Sequence, residues 1–306
     1  MQAGRAALAA RDDVVHVTPG RRHVAARRGA APVPGGDRPP QVRGHQVGDG
    51  ADVQRQADRR VVLAGDAAHQ MPPFMGQGLN SGIRDAANLA WRLALLVGEE
   101  GRESLLDDYA AERCAQVAQI VEQTVLIGQM FCMTDPEECA RRDAALTSLA
   151  NLNVQEASQN WLLRGGTLQD DGIGGSLGLQ AVVGTKTRTA LLDEIIAPPS
   201  FVLLGRDSDP VDRLSPPMRA AWQRLGGRSA HFGPGGLADT EGKYAPWFER
   251  LNASVVVIRP DFQVFGGVLD PSTTDGLVHN LVERILAQRG SAMPTSGRSE
   301  ASAAKA

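Results

Sequence analysis

The chain has 306 residues, of which 42% are apolar and 22% charged, and its formal net charge is −3. This length allows two domains of ordinary size, and the small negative charge favours neither a nucleic acid nor an anionic membrane surface as a partner. No stretch approaches the roughly eighteen apolar residues of a membrane span, and the first residues lack the apolar segment of a signal peptide.

Residues 1–60 differ in composition from the rest of the chain. They contain eleven Arg and no Lys, six Asp and no Glu, and they lack Ile, Phe, Trp and Tyr. One interpretation is a disordered basic arm, because so little apolar surface cannot offset the entropy of ordering the chain. The other, which we favour, is a GC-rich gene read in the wrong frame. Without Lys or interleaved aromatic residues, the arginines alone do not indicate a nucleic-acid-binding arm.

Regular structure is predicted from residue 61 onward. The apolar run 61–64 ends in Gly-Asp, as expected of a buried parallel strand. Pro72 and Pro73 then exclude helix, and an apolar stripe at helical spacing predicts a helix over 79–97. That stripe comprises Leu79, Ile83, Ala86, Ala87, Ala90, Leu93 and Ala94.

Two further helices, over 104–130 and 136–151, complete a first region that we assign to residues 61–162. The Gly-rich stretch 165–184 is interpreted as a linker. Beyond it, strands and helices alternate, which predicts a small α/β domain over 163–290, and the remaining residues 291–306 are expected to be a disordered tail. The predicted strands are 200–206, 253–261 and 262–268, and the predicted helices are 217–225 and 275–289.

The stretch from Gly65 to Asn80 carries the functional pattern of this sequence. Asp66 follows the carboxyl end of a strand, where ligands gather in open α/β sheets, and its carboxylate would accept hydrogen bonds from a hydroxyl-rich ligand. Gly76 and Gly78 allow backbone amides to approach a flat or anionic ligand, and the next helix would direct its positive N-terminus to the same place. The structural alternative is that Asp66 caps a turn and the glycines only shape a loop.

No metal site and no catalytic acid or base is predicted. His69 has no second His nearby and is expected to be a hydrogen-bonded loop residue, and Asp85 is expected to be structural. The cysteines, Cys114, Cys132 and Cys139, lack metal-binding spacing and are odd in number. This usage is typical of a reduced, cytoplasmic protein.

Three segments resemble one protein family. GDAAHQMPPFMGQGLNSGIRDAANLAWRLA (65–94) resembles the second flavin-binding motif of the class A flavoprotein aromatic monooxygenases, the p-hydroxybenzoate hydroxylase-like family. Within it, HQMPPFMGQG is similar to the 3-(3-hydroxyphenyl)propionate hydroxylase branch. DDYAAERCAQV (107–117) resembles the family's Tyr-x-x-Glu-Arg helix, and VVVIRPDFQVFGG (255–267) resembles the closing strands of its thioredoxin-like C-terminal domain. The resemblance implies an α/β protein in which an incomplete FAD-binding domain precedes a thioredoxin-like domain, the latter without a redox Cys-x-x-Cys.

The resemblance also implies roles for individual residues. Asp66 would hydrogen-bond the ribityl chain of FAD, Pro73 and the backbone of 76–80 would line the isoalloxazine, and the amides of Leu79 and Asn80 would lie near its N1–C2=O edge. The implied cofactor-binding residues are Gly65, Asp66, Pro73, Gly76, Gln77, Gly78, Leu79 and Asn80.

The resemblance implies a reaction as well. NADH or NADPH would reduce the flavin, O2 would add to give a C4a-hydroperoxide, and the distal oxygen would pass to a small phenol-type substrate. Such an intermediate survives where water is excluded. Met71, Phe74 and Met75 either help to exclude water there or belong to the protein core.

Several family features are missing from this sequence, namely the nucleotide-binding motif, the middle Asp-Gly motif and most of the substrate-binding sheet. A strand followed by Gly-x-Gly-x-x-Gly does not occur before residue 61, GPGGLA (233–238) follows no clear strand, and GIGGSLG (172–178) has the wrong spacing. We therefore expect the chain to represent the C-terminal portion of a flavin hydroxylase, from a truncated or frameshifted gene, that does not hydroxylate a substrate alone. The alternative is a non-catalytic fragment whose thioredoxin-like domain mediates self-association into a homo-oligomer.

Overall fold

The computed structural model describes residues 57–58, 61–150, 161–196 and 199–286. The predictions for residues 1–56 and for the tail 291–306 therefore fall outside the described residues. The first elements in chain order are β1 (Ala57–Asp58), β2 (Val61–Val62), α1 (Gln77–Val97), α2 (Leu105–Phe131) and α3 (Pro136–Ala150). These three helices confirm the predicted ones to within two residues at each end.

The strand β2 differs from the buried parallel strand predicted over 61–64. It has two residues and pairs antiparallel with β1, and Val62 is buried while Val61 is exposed. A parallel pair needs a crossover of a dozen or more residues, whereas two residues separate β1 from β2. The prediction of a parallel strand is therefore wrong, because among the described residues β2 pairs with β1 in the antiparallel direction.

The helix α1 buries the face opposite to the one that its apolar stripe predicts. Leu79 and Ile83 are exposed, the four alanines of the stripe are exposed as well, and Leu93 is half-buried. The buried residues are Ser81, Asp85, Asn88, Leu89, Trp91 and Arg92. This largely polar face packs on α2, whose charged side chains satisfy it, so hydrogen bonding and not apolar periodicity determines which side of α1 is inside.

The remaining elements form the C-terminal domain. They are β3 (Val182–Gly184), β4 (Thr189–Leu191), α4 (Leu192–Ile196), β5 (Val202–Gly205), α5 (Pro216–Arg224), β6 (Arg228–His231), β7 (Ala238–Asp239), α6 (Tyr244–Leu251), β8 (Val255–Ile258), β9 (Val264–Val268) and α7 (Thr274–Ile285). One sheet has the order β6–β5–β8–β9, in which β5 is parallel to β6 and antiparallel to β8, and β8 is antiparallel to β9. A second antiparallel sheet has the order β4–β3–β7. The α/β class is confirmed, and the thioredoxin-like assignment stays a prediction.

The four-stranded sheet is buried on both faces. Leu203 and Val257 pack in a cluster with α5 and α7, and Val256 packs on the other face in a cluster with α6. Trp91 of α1 and Leu105 of α2 belong to the first of these clusters. Because both residues come from the first region of the chain, that region shares a hydrophobic core with the C-terminal sheet.

The Gly-rich stretch 165–184 is not the linker that its composition suggests. The amides of Gln169, Gly175 and Gly178 donate to carbonyls of Phe265, Val264 and Phe262, each at 2.8 Å, so the segment lies along β9. A Cβ on Gly175 would come within 2.1 Å of a carbonyl oxygen. Glycine here permits close backbone approach and not flexibility, and the linker prediction is wrong.

The helix α2 is long enough, at 27 residues, to cross a bilayer. It nevertheless buries Glu112 and Arg113 in ion pairs with other parts of the protein. Across the ranges that the structure describes, no helix combines the length and the apolarity that a membrane crossing requires.

Candidate functional site

A short turn after β2 presents Asp66 at the surface. Residues Gly65–Ala67 form one turn of 3₁₀ helix, which Gly65 enters with φ of +60°. The turn lies against α1, since a Cβ on Gly82 would come within 3.4 Å of the Gly65 Cα. Asp66 is exposed, so its carboxylate is accessible to a ligand beside the first turns of α1.

The N-terminus of α1 forms the second part of this surface. Residues Pro73–Met75 make another 3₁₀ turn, and Gly76 at φ +62° ends it and begins α1. No side chain caps α1 at Gly76, and a Cβ on Gly78 would meet no atom within 4 Å. The first-turn amides therefore face an open surface, where the helix dipole favours an electron-rich group.

The eight sequence-predicted residues lie on two turns and on the first turn of α1, the helix that both turns contact. The turns that carry Gly65 and Pro73 both contact α1, and Gln77, Gly78, Leu79 and Asn80 form its first turn. The exposed members are Asp66, Pro73, Gly76, Leu79 and Asn80. An exposed carboxylate, an uncapped helix N-terminus and an unobstructed glycine thus lie on elements that contact one another, and this donor and acceptor set fits the ribityl chain and ring of a flavin. Their roles as cofactor ligands stay a prediction.

Phe74 anchors the prolyl turn to the far end of α2. Its ring lies over Gly128, where an added Cβ would come within 2.3 Å of a ring carbon. It also stacks on Phe131, with ring centroids 6.4 Å apart and an interplanar angle of 15°. Gly128 was not singled out in the sequence, because a helical glycine gives no signal of which ring will lie on it.

Asp85 holds the turn that carries Asp66. It accepts hydrogen bonds from the Gly65 amide at 2.8 Å, from His69 Nε2 at 2.6 Å and from Arg113 Nε at 2.7 Å. Burial alone would raise the pKa of Asp85, but the hydrogen bond from His69 and the charge of Arg113 hold that pKa below its ordinary value. The predictions that His69 is a hydrogen-bonded loop residue and that Asp85 is structural are confirmed.

A second buried cluster joins α1 and α2 to the C-terminal domain. Glu112 accepts from both Nη atoms of Arg259 and from Nη2 of Arg92, each at 2.8 Å. Asn88 Nδ2 also donates to Glu112, at 2.8 Å, and Asp261 pairs with Arg259. The two arginines and two carboxylates balance in charge, which is how a protein interior accommodates ions.

These two clusters account for the buried acids near the candidate site. Within the described ranges, no three His, Cys, Asp or Glu side chains are grouped so as to hold a metal ion. Asp85 and Glu112 are each occupied by cationic partners. Asp66 is instead exposed, so a ligand can reach its carboxylate.

Two protein-family models match this chain. Residues 44–124 match the FAD binding domain family, and residues 175–284 match the HcaD C-terminal domain family. The first match contains the whole of the candidate site and begins at residue 44, ahead of the domain boundary predicted at 61. That boundary stays a prediction.

Curated relatives and solved structures agree with the domain families. A protein named probable NADH-specific resorcinol 4-hydroxylase, from Rhodococcus jostii, is 36% identical over an alignment of 234 residues that covers 74% of this chain and 43% of that protein. The 3-(3-hydroxy-phenyl)propionate/3-hydroxycinnamic acid hydroxylase of Klebsiella pneumoniae is 32% identical, over 78% of this chain and 48% of that protein. The flavin-dependent monooxygenase PieE, solved with FAD and substrate, superposes with a TM-score of 0.58 and 26% identity over 74% of this chain and 48% of its own. OxyS anhydrotetracycline hydroxylase from Streptomyces rimosus also gives 0.58 and 26%, over 74% of this chain and 44% of its own.

The fold and the similar proteins named above define the class of flavin-dependent monooxygenases. More particularly, the chain belongs to the class A flavoprotein aromatic monooxygenases, a family whose cofactor is FAD. It spans slightly less than half the length of the curated relatives named above. The family that the sequence motifs indicate is thereby confirmed.

Proposed function

We propose that this chain supplies the flavin-facing wall of an FAD-dependent hydroxylase of small phenols. The observation that carries the proposal is the exposed carboxylate of Asp66 on a turn that contacts α1, together with the uncapped N-terminus of that helix, in a segment that matches an FAD binding domain. The relatives named above are a resorcinol hydroxylase and a hydroxyphenyl-propionate hydroxylase. Since both names describe phenols, a phenol-type substrate is the class that we assign.

Each residue of the wall has a physical task in this proposal. Asp66 would accept hydrogen bonds from the ribityl hydroxyls, and the amides of Leu79 and Asn80 would donate to the ring. The positive end of α1 would stabilise negative charge on the ring by about 0.3–2 kcal/mol. When bound, FAD supplies the redox chemistry that takes electrons from a nicotinamide nucleotide and activates O2.

The prolyl turn would help to exclude water from a bound flavin. Pro73 and Phe74 present apolar surface beside the start of α1, and the packing of Phe74 on Gly128 fixes their position. A flavin site that activates O2 needs such exclusion of water. NADH is the favoured electron donor because of the name of the Rhodococcus relative, and NADPH is the alternative.

The 306-residue polypeptide alone is proposed not to hydroxylate a substrate. Its sequence contains no Gly-x-Gly-x-x-Gly between a strand and a helix ahead of residue 61, so that cradle for the FAD pyrophosphate is missing from it. Each charge-assisted hydrogen bond to a phosphate contributes about 1.5–3 kcal/mol. Losing three of them weakens binding by more than about a thousandfold, at about 1.4 kcal/mol per factor of ten.

Titration of the purified chain with FAD tests this proposal. We expect weak binding that saturates poorly, and no oxidation of NADH above the rate of free FAD. Asp66→Asn should weaken the residual flavin binding, whereas Asp270→Asn, an exposed acid of the C-terminal domain, should leave it unchanged. A yellow protein with one FAD per chain and rapid NADH oxidation would show that the chain is a complete catalyst. Residual binding that Asp66→Asn does not affect would refute the assigned wall.

A further inference from the structure

Two cysteines lie where α2 ends and α3 begins. Cys132 is the C-terminal cap of α2, where its amide donates to the Gly128 carbonyl at 2.9 Å, and it is exposed to solvent. Cys139 lies in the first turn of α3 and is half-buried. Because only residues 133–138 separate them, the two thiols belong to one short connection between antiparallel helices.

The side chain of Cys139 points back to the end of α2. Its Sγ lies 3.5 Å from the carbonyl oxygen of Met133, the residue that follows Cys132. Since consecutive Cα atoms are about 3.8 Å apart, this contact brings the sulfur of Cys139 into the vicinity of Cys132. Asp135 fixes where α3 starts, because its carboxylate accepts hydrogen bonds from two amides of the first turn, each at 3.0 Å.

Little of α3 is buried, so a small shift of this helix can bring the two sulfurs together. Along 136–148, where the structure describes side-chain exposure, every residue other than Cys139 and Arg142 is exposed. Arg142 also contacts α2, since its Nη1 donates to the Met130 carbonyl at 3.1 Å. A disulfide requires Cα atoms about 4.4–6.8 Å apart. The helix can adjust to that spacing without disrupting a packed core.

We propose that Cys132 and Cys139 are a redox-active pair that hydrogen peroxide converts into a disulfide. The thiolate of exposed Cys132 attacks one peroxide oxygen, the O–O bond breaks, and the hydroxide that leaves takes up the thiol proton to form water. The resulting sulfenic acid then reacts with the Cys139 thiol: the S–S bond forms, and the sulfenic hydroxyl leaves with the thiol proton as a second water. Two thiols thus lose two electrons, and one peroxide is reduced to two waters. This inference does not depend on flavin binding.

The disulfide would tie α3 to the helix that supports the prolyl turn. Phe131, the residue before Cys132, stacks on Phe74 of that turn with ring centroids 6.4 Å apart. Gly128, one helical turn earlier, lies under the same ring. A restraint on Cys132 therefore acts on the part of α2 that holds Phe74, and the oxidised protein should have the more rigid turn.

Cys114, also in α2, provides an internal control. Burial raises the pKa of the Cys114 thiol to about 11. Because the thiolate is the form that reacts with peroxide, Cys114 should stay a thiol under conditions that oxidise the pair.

Peroxide treatment of the full chain tests the pair. The chain is exposed to a small excess of hydrogen peroxide, the remaining thiols are alkylated, and a glutamyl endopeptidase cuts the protein without reduction. The sites that place each cysteine in its own peptide are Glu122, Glu137 and Glu138. Mass spectrometry should find the peptides of Cys132 and Cys139 joined, with Cys114 alkylated, and dithiothreitol should release the two joined peptides.

Single replacements separate a specific pair from general oxidation. Cys132→Ser and Cys139→Ser should each abolish the cross-link, whereas Cys114→Ser should leave its rate of formation unchanged. In Cys139→Ser, sulfenic and sulfinic acid at Cys132 should increase about tenfold over wild type, because no second thiol is there to react. Sulfinic acid at Cys132 of the wild type with Cys139 still alkylated would overturn the proposal. So would a disulfide between two chains or one that includes Cys114.

Hydrogen exchange tests the effect on the prolyl turn. The Gly76 amide donates to the Pro73 carbonyl at 3.0 Å and should exchange about threefold more slowly in the oxidised wild type than in the reduced one. Peroxide should cause no such slowing in Cys139→Ser. Equal exchange in the oxidised and reduced wild type would refute the link between the disulfide and the turn.

Discussion

Arg259 and Glu112, 147 residues apart, form a two-pronged ion pair in which both nitrogen–oxygen distances are 2.8 Å. Both side chains are fully buried. Arg259 lies at the end of β8 and Glu112 in α2, so the pair joins the helices of the FAD-domain portion to the C-terminal sheet. Thr167, in the packed Gly-rich stretch, adds a hydrogen bond from its amide to Glu112 at 2.9 Å. One carboxylate thus connects three parts of the chain.

Replacing Arg259 should therefore lower the free energy of unfolding far more than replacing a surface arginine whose ion pair has the same nitrogen–oxygen distance. Arg259→Met leaves a buried carboxylate short of a partner, and we expect a loss of about 3–5 kcal/mol in the free energy of unfolding. The control is Arg188→Met, whose exposed pair with Glu194 also measures 2.8 Å and should change stability by about 1 kcal/mol or less. Urea unfolding followed by tryptophan fluorescence measures both. Equal losses in the two variants would show that Arg259 and Glu112 do not act as a buried pair.

Lowering the pH should decrease the free energy of unfolding, because it protonates the carboxylate of Glu112. Burial alone would raise the pKa of Glu112, but Arg259 and Arg92 outweigh it and lower the pKa to about 2 from the ordinary 4.5. An acid whose folded-state pKa is lowered contributes stability above its unfolded-state pKa and loses that contribution as the pH falls through the folded value. The contribution of Glu112 is therefore complete above about pH 4.5 and disappears towards pH 2.

Glu112→Gln isolates that contribution. The variant should be less stable than the wild type at pH 7, and the difference in unfolding free energy should shrink steadily between pH 4.5 and pH 2. Urea titrations at half-unit pH steps give this difference directly. If the difference in unfolding free energy between wild type and variant stays constant over this range, Glu112 does not titrate with the lowered pKa.

The existence and the ends of the long helices could be predicted from the sequence. Which face of α1 is buried could not. Pro73, Gly76 and Gly98 delimit α1 by local backbone chemistry, which a sequence displays directly. Which face of α1 is buried depends on partners such as Glu112 and Arg113, and no local pattern reveals that pairing. Apolar periodicity therefore assigned the side of α1 that carries Leu79 and Ile83 to the core, whereas the buried ion pairs place the opposite side inside.

The candidate site, in contrast, could be predicted from the sequence because its residues are close together along the chain. Its residues lie within sixteen positions, from Gly65 to Asn80, so a strand end, a turn and a helix start assemble it locally. Its supports come from farther away: Asp85 reaches back twenty residues to the Gly65 amide, and Gly128 receives Phe74 from another helix. The short strands β3, β4 and β7 were missed because two or three residues cannot show an alternating pattern, and β6 was missed because Arg228–His231 shows no apolar alternation.

The contrast between Asp66 and Asp85 separates ligand binding from structural support. Asp66→Asn alters an exposed side chain and should leave the free energy of unfolding within about 0.5 kcal/mol of the wild type. Asp85→Asn removes the charge that balances buried Arg113 and should cost about 3–5 kcal/mol. It should also speed hydrogen exchange of the Gly65 amide, which donates to Asp85. Urea unfolding and amide exchange by NMR measure these effects. If Asp66→Asn is the more destabilising of the two, Asp66 is a structural cap and not a ligand.

Gly128 and Gly276 offer a matched pair of helical glycines that should respond oppositely to alanine. Gly276 in α7 has open space where a Cβ would be, so Gly276→Ala should stabilise by about 0.5–1 kcal/mol through helix propensity. In Gly128→Ala the new methyl would collide with the ring of Phe74 at 2.3 Å. We expect a loss of about 1 kcal/mol instead, at the low end of the cost of overpacking, because the partly exposed ring can move.

A double-mutant cycle decides whether Phe74 is the cause. In a Phe74→Ala background the collision is absent, so Gly128→Ala should become stabilising by about the amount seen for Gly276→Ala. The displaced ring should also loosen the prolyl turn, which is measurable as faster exchange of the Gly76 amide, now bonded to the Pro73 carbonyl at 3.0 Å. Additive effects of Gly128→Ala and Phe74→Ala would mean that α2 does not fix the turn. The flavin wall would then depend on α1 alone.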